Sequence, residues 1–169
     1  MDKAKIGVIG AGWWATEFHI PHLQKRDDVE LVSVCKLEQD QLDFVKDKFG
    51  FKFASTDFKE MLDFSPLDGV VIASPHFAHF ENAKASLQKG CHVLIEKPLC
   101  VSLMEAEEIL TVAQQNKAIV QVGHIEHYNP VMTFLEEAVD QPKYLTVERL
   151  APFQPRGTEV GVVLDLMIH

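Results

Sequence analysis

Two glycines follow directly after the first apolar segment of the chain, in the pattern Gly10-x-Gly12-x-x-Ala15. Gly10 permits a tight turn from a strand into a helix, and the absent side chain of Gly12 lets the backbone approach a phosphate group. Ala15 is small enough for close packing of helix on strand. Trp13 and Trp14 fill the intervening positions, where they lie beside a bound ligand or pack on the sheet edge. The pattern predicts a turn that holds the pyrophosphate of a dinucleotide at a helix N-terminus.

A glutamate and a lysine follow a later apolar segment, in the order Glu96-Lys97-Pro98. Open α/β sheets bind ligands beyond the carboxyl ends of their strands, so the position of Lys97 makes it a candidate functional residue. A solvated loop lysine is the competing interpretation, and the strand-end position and the following proline count against it. Because the chain must turn abruptly at Pro98, we expect the Lys97–Pro98 peptide bond to be cis, against the usual trans preference.

Two polar residues at the end of the chain are separated by four positions. If segment 161–169 is helical, Asp165 and His169 lie on one face of that helix. The ordinary pKa of histidine, near 6.5, suits it to exchange a hydroxyl proton at neutral pH. A histidine on a frayed terminal helix is the competing interpretation.

Histidine pairs with the spacing His-x-x-His could be interpreted as metal ligands. No acidic or cysteine residue recurs beside them at a matching spacing, so we expect no metal site. The three pairs are His19 with His22, His76 with His79, and His124 with His127.

Apolar segments that alternate with amphipathic ones must position these residues. The alternation predicts an α/β fold with a doubly wound parallel sheet, the Rossmann fold, over residues 1–123. Pro21 should bend or break the first helix, and Gly50 should cap the second. Ser102 and Glu105 form a capping box at the start of a later helix. The predicted strands are 5–9, 29–35, 51–54, 69–74, 91–95 and 119–122.

The pattern changes after residue 123. A helix is predicted from Asn129-Pro130 to Ala138, and alternation predicts a strand over 143–150. We therefore expect residues 124–169 to begin a second α+β domain that the chain does not complete. The family resemblance described below implies that this domain serves substrate binding and oligomerisation.

Composition excludes several classes of protein. The 169 residues, 47% of them apolar, suit one domain or one domain plus part of another. The net charge of −9 argues against nucleic acid and against anionic membranes as partners. No apolar run approaches a membrane span, and charges begin at Asp2, unlike in a secretory signal. The cysteines form no Cys-x-x-Cys pair, which indicates reduced thiols in a cytoplasmic protein. They are Cys35, Cys91 and Cys100.

Four further motifs stand in order behind the opening turn, in segments 74–79, 96–98, 123–130 and 165–169. Together with that turn they resemble the Gfo/Idh/MocA oxidoreductases, NAD(P)-dependent enzymes that act mostly on sugars and their derivatives. The resemblance extends over all 169 residues, which correspond to about the first half of a typical member. The residues of the last two motifs are similar to those of the nucleotide-sugar branch of the family, which includes UDP-N-acetylglucosamine 3-dehydrogenase-like proteins.

The resemblance implies roles for the residues at the strand ends. In the family, the residue matching Lys97 contacts the substrate hydroxyl and assists proton transfer, and the residue matching Glu96 meets the cofactor's ribose. The bond matching Lys97–Pro98 is often cis. The resemblance also implies cofactor contacts by Lys97, Ser74, Pro75, His76 and His79.

The resemblance further implies a site for the sugar or nucleotide sugar. His169 would be the general acid/base, and Asp165 would orient it or bind substrate. Substrate contacts would come from Glu126, His127 and Asn129, together with Lys97. His127 stands where the nucleotide-sugar branch usually has arginine, which bears on the identity of the substrate.

The end of the second strand bears on the choice between NAD and NADP. An acidic residue there usually accepts hydrogen bonds from the ribose 2′-hydroxyl of NAD. This chain has Lys36 at that position, where a cation would favour the 2′-phosphate of NADP. Glu38 could still reach the ribose, and Lys36 could point into solvent. On balance the sequence favours NADP slightly.

Two functions of different class remain open. The first is an oxidoreductase that transfers a hydride between NAD(P) and a sugar carbon bearing a hydroxyl. The second is a dinucleotide-binding domain without activity of its own, such as a truncated gene product. We expect the 169-residue chain alone to bind cofactor without turning over sugar nucleotides, and a complete chain to be compatible with homo-oligomers.

Overall fold

A computed structural model describes residues 2–148, 150 and 161–168 of the protein, the side chains of residues 165 and 166 excepted. Its centre is a six-stranded sheet in which every pair of neighbouring strands is parallel. The strand order is β3-β2-β1-β4-β5-β6, so the direction of winding reverses between β1 and β4. The strands are β1 Ala4–Ile9, β2 Val29–Cys35, β3 Phe53–Ser55, β4 Gly69–Ile72, β5 His92–Ile95 and β6 Val120–Val122. The doubly wound parallel sheet predicted from the sequence is confirmed.

Helices connect the strands and cover both faces of the sheet. The α-helices are α1 Ile20–Gln24, α2 Gln39–Phe49, α3 Phe58–Asp63, α4 His79–Gln88, α5 Leu103–Gln115 and α6 Pro130–Ala138. Two 3₁₀ turns, His76–Ala78 and Ile125–Tyr128, follow the ends of β4 and β6. Two π-helical turns, Ala15–His19 and Val163–Met167, complete the described elements.

The pleat of the strands sends alternate side chains into two separate cores. Val71 of β4 packs with α1 and α2 on one face, whereas Val70 and Ile72 pack with α3, α4 and α5 on the other. Strands buried on both faces need continuous apolar sequence, which is the pattern that β4 and β5 carry. The two cores bury both faces of the sheet and thereby fix the positions of its strand ends.

The first helix contains the interruption that Pro21 predicts. Pro21 lies in the first turn of α1, and the π-helical turn Ala15–His19 immediately precedes it. A proline cannot donate the usual backbone hydrogen bond, and a π turn is one way to absorb the missing bond. The predicted cap at Gly50 is confirmed, since Gly50 ends α2 at φ +74°. Of the predicted capping box, the Glu105 amide donates to Ser102 Oγ at 3.2 Å, whereas the Glu105 carboxylate accepts from the Val101 amide at 3.1 Å.

The strand predicted over 143–150 is wrong within the described part of that segment. Residues 143–148 and 150 form no strand, and their side chains are exposed. A strand is stable only when a neighbouring strand takes up its backbone hydrogen bonds, and no described strand lies beside this segment. Alternation of apolar and polar residues does not produce a strand here without a neighbouring strand to pair with.

The three cysteines are free and buried. Burial is the main cause that raises the pKa of the Cys35 thiol, to about 11, and it also raises the pKa of Cys91 and Cys100. None of the described helices is long and apolar enough to cross a membrane.

Candidate cofactor site at the carboxyl edge of the sheet

The residues singled out in the sequence gather along one edge of the sheet. Since all six strands run in the same direction, the loops that follow them emerge at one edge, in the same order as the strands. Lys36 follows β2, the glycine turn follows β1, Ser74 lies beyond β4, and Glu96 follows β5. The reversal between β1 and β4 places the glycine turn at the crevice where open α/β sheets bind ligands.

Gly10 is required by its backbone angle and by its surroundings. Its φ is +88°, which favours glycine, and a Cβ built there would lie 2.4 Å from the backbone nitrogen of Ser74. The turn is fastened by Gly10 N–H, which donates to the Cys35 carbonyl oxygen at 3.0 Å. The glycine therefore lets the end of β1 lie directly against the end of β4.

Gly12 differs from Gly10, because open space lies in front of it. A Cβ built on Gly12 would meet no atom within 4 Å among the described residues. The chain becomes helical directly after it, and the amide of Thr16 donates to the Gly12 carbonyl oxygen at 3.0 Å. An open turn at the start of a helix fits the phosphate groups of a dinucleotide.

Trp13 and Trp14 form an aromatic cluster with Phe18 beside the turn. The ring centroids of Trp14 and Phe18 are 4.3 Å apart, and those of Trp13 and Phe18 are 5.6 Å apart, edge to face. Trp13 is 60% exposed, whereas Trp14 is partly buried. The Trp14 indole N–H donates to Glu96 Oε1 at 2.8 Å. Of the two tryptophans, Trp14 is thus the one bonded to the end of β5.

Glu96 is the electrostatic centre of this edge. His19 Nε2 lies 2.7 Å from the same Oε1 that accepts from Trp14, and the Glu96 side chain is 15% exposed. Burial alone would raise the pKa of Glu96. Hydrogen bonds from His19 and Trp14, the charge of His19 and the Lys97 amide outweigh burial and lower that pKa below 4.5. Glu96 is therefore a carboxylate at neutral pH.

Gly123 makes room for this carboxylate at the end of β6. A Cβ on Gly123 would lie 3.2 Å from Glu96 Oε1, closer than an ordinary contact.

Beside Glu96, a cleft of about 410 Å³ opens between the first helix and the sheet. Its walls include Trp14, Val71, Leu94 and Ile125.

Lys97 is half-buried and follows Glu96 directly at the end of β5. The Lys97–Pro98 bond is cis, as the sequence predicts. The amide of Glu96 donates to the Ile72 carbonyl oxygen at 2.9 Å, which continues the pairing of β5 with β4 up to this point. The lysine thus begins its loop from a fixed strand end.

The loop after β4 places its four predicted residues differently. Pro75 is exposed, and Ser74 and His76 are partly buried. His79 is completely buried, with Nδ1 2.7 Å from the Pro98 carbonyl oxygen and Nε2 2.9 Å from the Ser74 carbonyl oxygen. Because His79 has no exposed surface, it can affect a ligand only through the residues that it contacts.

Lys36 is paired with Glu38 at the end of β2. Lys36 Nζ lies 3.1 Å from Glu38 Oε2, and the exposed fractions of the two side chains are 14% and 59%. The hydrogen bond from Lys36 is the main cause that lowers the pKa of Glu38. Cation and anion are both present where a dinucleotide's adenosine ribose would lie.

The predicted substrate residues lie in and after the 3₁₀ turn that follows β6. Asn129 Nδ2 donates to Glu126 Oε2 at 2.8 Å, and Asn129 Oδ1 accepts from the Val131 amide to cap α6. His127 is exposed and packs edge to face on Tyr128. The structure thus brings Glu126 and Asn129 together and leaves His127 at the surface.

The last predicted residues belong to the π-helical turn Val163–Met167 and its continuation. His124 Nδ1 lies 3.2 Å from the Ile168 carbonyl oxygen, which brings this turn to the end of β6. The backbone of Asp165 lies in the turn, whereas His169 is outside the described residues. Across the part of the chain that the structure describes, no three His, Cys, Asp or Glu side chains gather as metal ligands.

Sequence reasoning missed the functions of two residues. His19 was considered only as a metal ligand, yet it holds Glu96. Asn82 was overlooked, although its side chain donates to Ser74 Oγ at 2.9 Å. The available signal was a polar residue one helical turn after His79, on the buried face of α4.

Comparison with known proteins agrees with this geometry. Residues 4–124 match the model of the Gfo/Idh/MocA oxidoreductase family, described as having an NAD-binding Rossmann fold. The chain belongs to this family. The match ends just beyond β6 and therefore covers the whole described sheet.

Individual relatives include sugar and inositol dehydrogenases. UDP-N-acetylglucosamine 3-dehydrogenase of Acidithiobacillus ferrooxidans is 40% identical over 104 residues, 61% of this chain and 33% of that protein. Glucose-6-phosphate 3-dehydrogenase of Bacillus subtilis is 35% identical over 166 residues, 98% of this chain and 41% of that protein. Scyllo-inositol dehydrogenase of Lactobacillus casei, solved with NAD(H) and scyllo-inositol, superposes with a TM-score of 0.74 at 25% identity, covering 83% of this chain and 42% of that one. The chain spans less than half the length of these relatives.

Proposed function

We propose that this chain is the dinucleotide-binding part of an NAD(P)-dependent dehydrogenase that acts on a hydroxyl-bearing carbon of a sugar or nucleotide sugar. The observation that carries the proposal is the open turn at Gly12 on the same edge of the sheet as Glu96 and Lys97. Only β4 separates β1 from β5, a distance of about 10 Å at the usual strand spacing. A dinucleotide held at the turn is long enough to reach Lys97.

In this proposal the chain's own residues bind the cofactor, orient the substrate and move the substrate's proton. The Gly12 turn takes the pyrophosphate, and Glu96, held by Trp14 and His19, accepts a hydrogen bond from a ribose hydroxyl. The bound cofactor supplies the carbon that accepts the hydride. The Lys97 ammonium donates to the substrate oxygen and stabilises the negative charge that forms on it as its proton leaves.

The substrate-facing assignments rest on the family resemblance and on the placement of the described residues. Residues 1–123 bind the dinucleotide, and residues 124–169 begin the part that binds substrate. Glu126, His127 and Asn129 contact the sugar or nucleotide sugar. His169 exchanges its proton as the general acid/base, and Asp165 orients His169 or binds substrate. The contact between His124 and Ile168 supports this assignment, because it brings the turn that contains Asp165 to the same edge.

The cofactor preference that we propose is NADP over NAD. Lys36 is the supporting observation, since its ammonium stands at the end of β2 and is already held by Glu38. A 2′-phosphate would replace the Glu38 carboxylate as the partner of Lys36. When NAD binds, Glu38 can accept hydrogen bonds from the ribose instead.

Calorimetric titration with NADPH and NADH tests the dinucleotide site. Gly12→Val places a side chain where the pyrophosphate must lie, so we expect affinity to fall at least tenfold, about 1.4 kcal/mol. Gly161→Val is the matched control, because a Cβ on Gly161 also meets no atom of the described residues within 4 Å. Equal affinity in wild type and Gly12→Val, or equal losses in both variants, would reject this site.

A further inference from the structure

Helix α4 carries two buried polar side chains that hold the loops beyond β4 and β5. His79 is fully buried, and its ring nitrogens lie 2.7 Å from the Pro98 carbonyl oxygen and 2.9 Å from the Ser74 carbonyl oxygen. Asn82 is 4% exposed and donates to Ser74 Oγ at 2.9 Å. One helix therefore fastens two loops that come from neighbouring strands.

We propose that His79 is a positioning residue for Lys97. Its ring ties the loop that contains Lys97 to Ser74, and Ser74 lies against the Gly10 turn, where a Cβ would overlap its backbone nitrogen. A continuous series of contacts thus runs from the glycine turn through Ser74, His79 and Pro98 to the lysine. The inference rests on the proposed function, because the position of Lys97 relative to a dinucleotide matters only if that function is right.

The protonation of His79 decides how many of these contacts are hydrogen bonds. Both partners are carbonyl oxygens, and a neutral imidazole has a single N–H to donate. Burial is the main cause that lowers the pKa of His79 below 6.5, the neighbouring His76 ring lowers it further, and the two carbonyls and Glu96 oppose the shift. The ring is therefore neutral at neutral pH. A neutral ring can therefore donate to only one of the two carbonyl oxygens at a time, and its other nitrogen lies beside the second.

Replacement of His79 by a ring without nitrogens tests the inference. His79→Phe keeps an aromatic ring and removes both hydrogen-bonding atoms, and Lys97 is followed through its assigned ¹³Cε and amide NMR signals in the 169-residue chain. We expect both Lys97 signals to shift by more than their linewidths. Leu87→Ala is the control, because Leu87 is fully buried on the same helix and packs in the apolar core instead of on the loops. We expect it to lower stability and leave the Lys97 signals in place.

A second variant keeps the test decisive if His79→Phe does not fold. His79→Leu also removes both ring nitrogens and keeps an apolar side chain in the buried position, so its Lys97 signals should shift as well. Lys97 signals at the wild-type position in folded His79→Phe, or in His79→Leu when the first does not fold, would overturn the inference. Shifts equal to those of Leu87→Ala would do the same. These spectra need no dinucleotide, so a wild type that fails to bind NADPH would reject the proposed function alone.

Discussion

At the scale of single residues, the candidate site depends on three glycines as much as on residues that carry side chains. Gly10 lets two strand ends meet, Gly12 keeps a space open, and Gly123 leaves room for the Glu96 carboxylate. The three glycines therefore have separate functions, and substitution should affect each one differently. Gly10 concerns folding, whereas Gly12 concerns ligand binding in the function that we propose.

Gly10→Ala should destabilise the fold itself. Left-handed backbone strain and overlap with the Ser74 backbone together cost about 3 kcal/mol of the free energy of unfolding. Gly50→Ala is the control, because Gly50 has φ +74° with no atom near a Cβ, and it should cost only about 1 kcal/mol. Urea denaturation measures both variants. Equal losses would mean that the contact between the ends of β1 and β4 contributes nothing.

Lys36→Asp should reverse the cofactor preference. We expect NADPH to bind at least tenfold more weakly, because the 2′-phosphate would meet a carboxylate, and NADH to bind as well as before or better. Lys52→Asp is the control, since Lys52 forms a similar ion pair with Glu30 near the opposite end of β2. Calorimetry with both cofactors distinguishes the outcomes, and parallel losses for NADPH and NADH would place Lys36 outside the ribose site.

At the scale of secondary structure elements, Glu96 joins the first helix to β5. Trp14 and His19 come from the helical segment that follows the glycine turn, and both bond the carboxylate at the strand end. The segment changes from π to α geometry between His19 and Ile20, so Trp14 immediately precedes the π turn and His19 is its last residue. The helix therefore positions both the turn and the acidic group.

The lowered pKa of Glu96 should be visible in the pH dependence of stability. A carboxyl whose pKa falls on folding contributes stability above pH 4.5, and this contribution disappears as the pH falls through the folded-state pKa. The wild type should therefore lose stability below pH 4.5 more steeply than Glu96→Gln in urea denaturation. Glu38→Gln should retain the wild-type slope, because Glu38 is exposed and solvent screens its pair with Lys36. Identical slopes for wild type and Glu96→Gln would contradict the prediction.

At the scale of the whole molecule, the proposed function makes the sheet one face of the reaction site. The described edge presents the glycine turn, Glu96 and Lys97, whereas the predicted sugar-binding residue His127 is exposed at the surface. Residues 130–148 are almost all exposed as well, so they form no enclosed pocket over that edge. Rapid hydride transfer requires the reacting carbon to be held about 3–3.5 Å from its acceptor.

We therefore expect the 169-residue chain on its own to bind dinucleotide without oxidising sugars at a measurable rate. The assay follows NAD(P)H absorbance with UDP-sugars and NAD(P), and a longer chain that includes further sequence of the protein, if one is found, provides the positive comparison. Lys97→Ala is the control for background reduction. Robust turnover by the 169-residue chain, abolished in Lys97→Ala, would show that these residues hold a sugar unaided.

The sequence by itself determined the architecture and the edge of the sheet to which the candidate residues belong. Period-two and continuous apolar runs identify buried strands, glycines with fixed spacing identify the turn, and parallel connections force the strand ends to one edge. These are local patterns, and they also predicted the Gly50 cap and the cis bond before Pro98. The failure over 143–150 was also local, because alternation cannot show whether a partner strand exists.

Only the tertiary structure decided which side chains meet across the sequence. Glu96 bonds His19 and Trp14, which precede it by 77 and 82 positions, and His79 reaches Pro98 from another strand connection. Such contacts depend on strand order, on the rotation of each helix about its axis and on the π turn before Pro21. Periodic patterns of apolar residues in the sequence do not encode these features. The residue types limited the chemistry, but packing determined that His79 is buried, that His19 binds a carboxylate and that Gly12 faces open space.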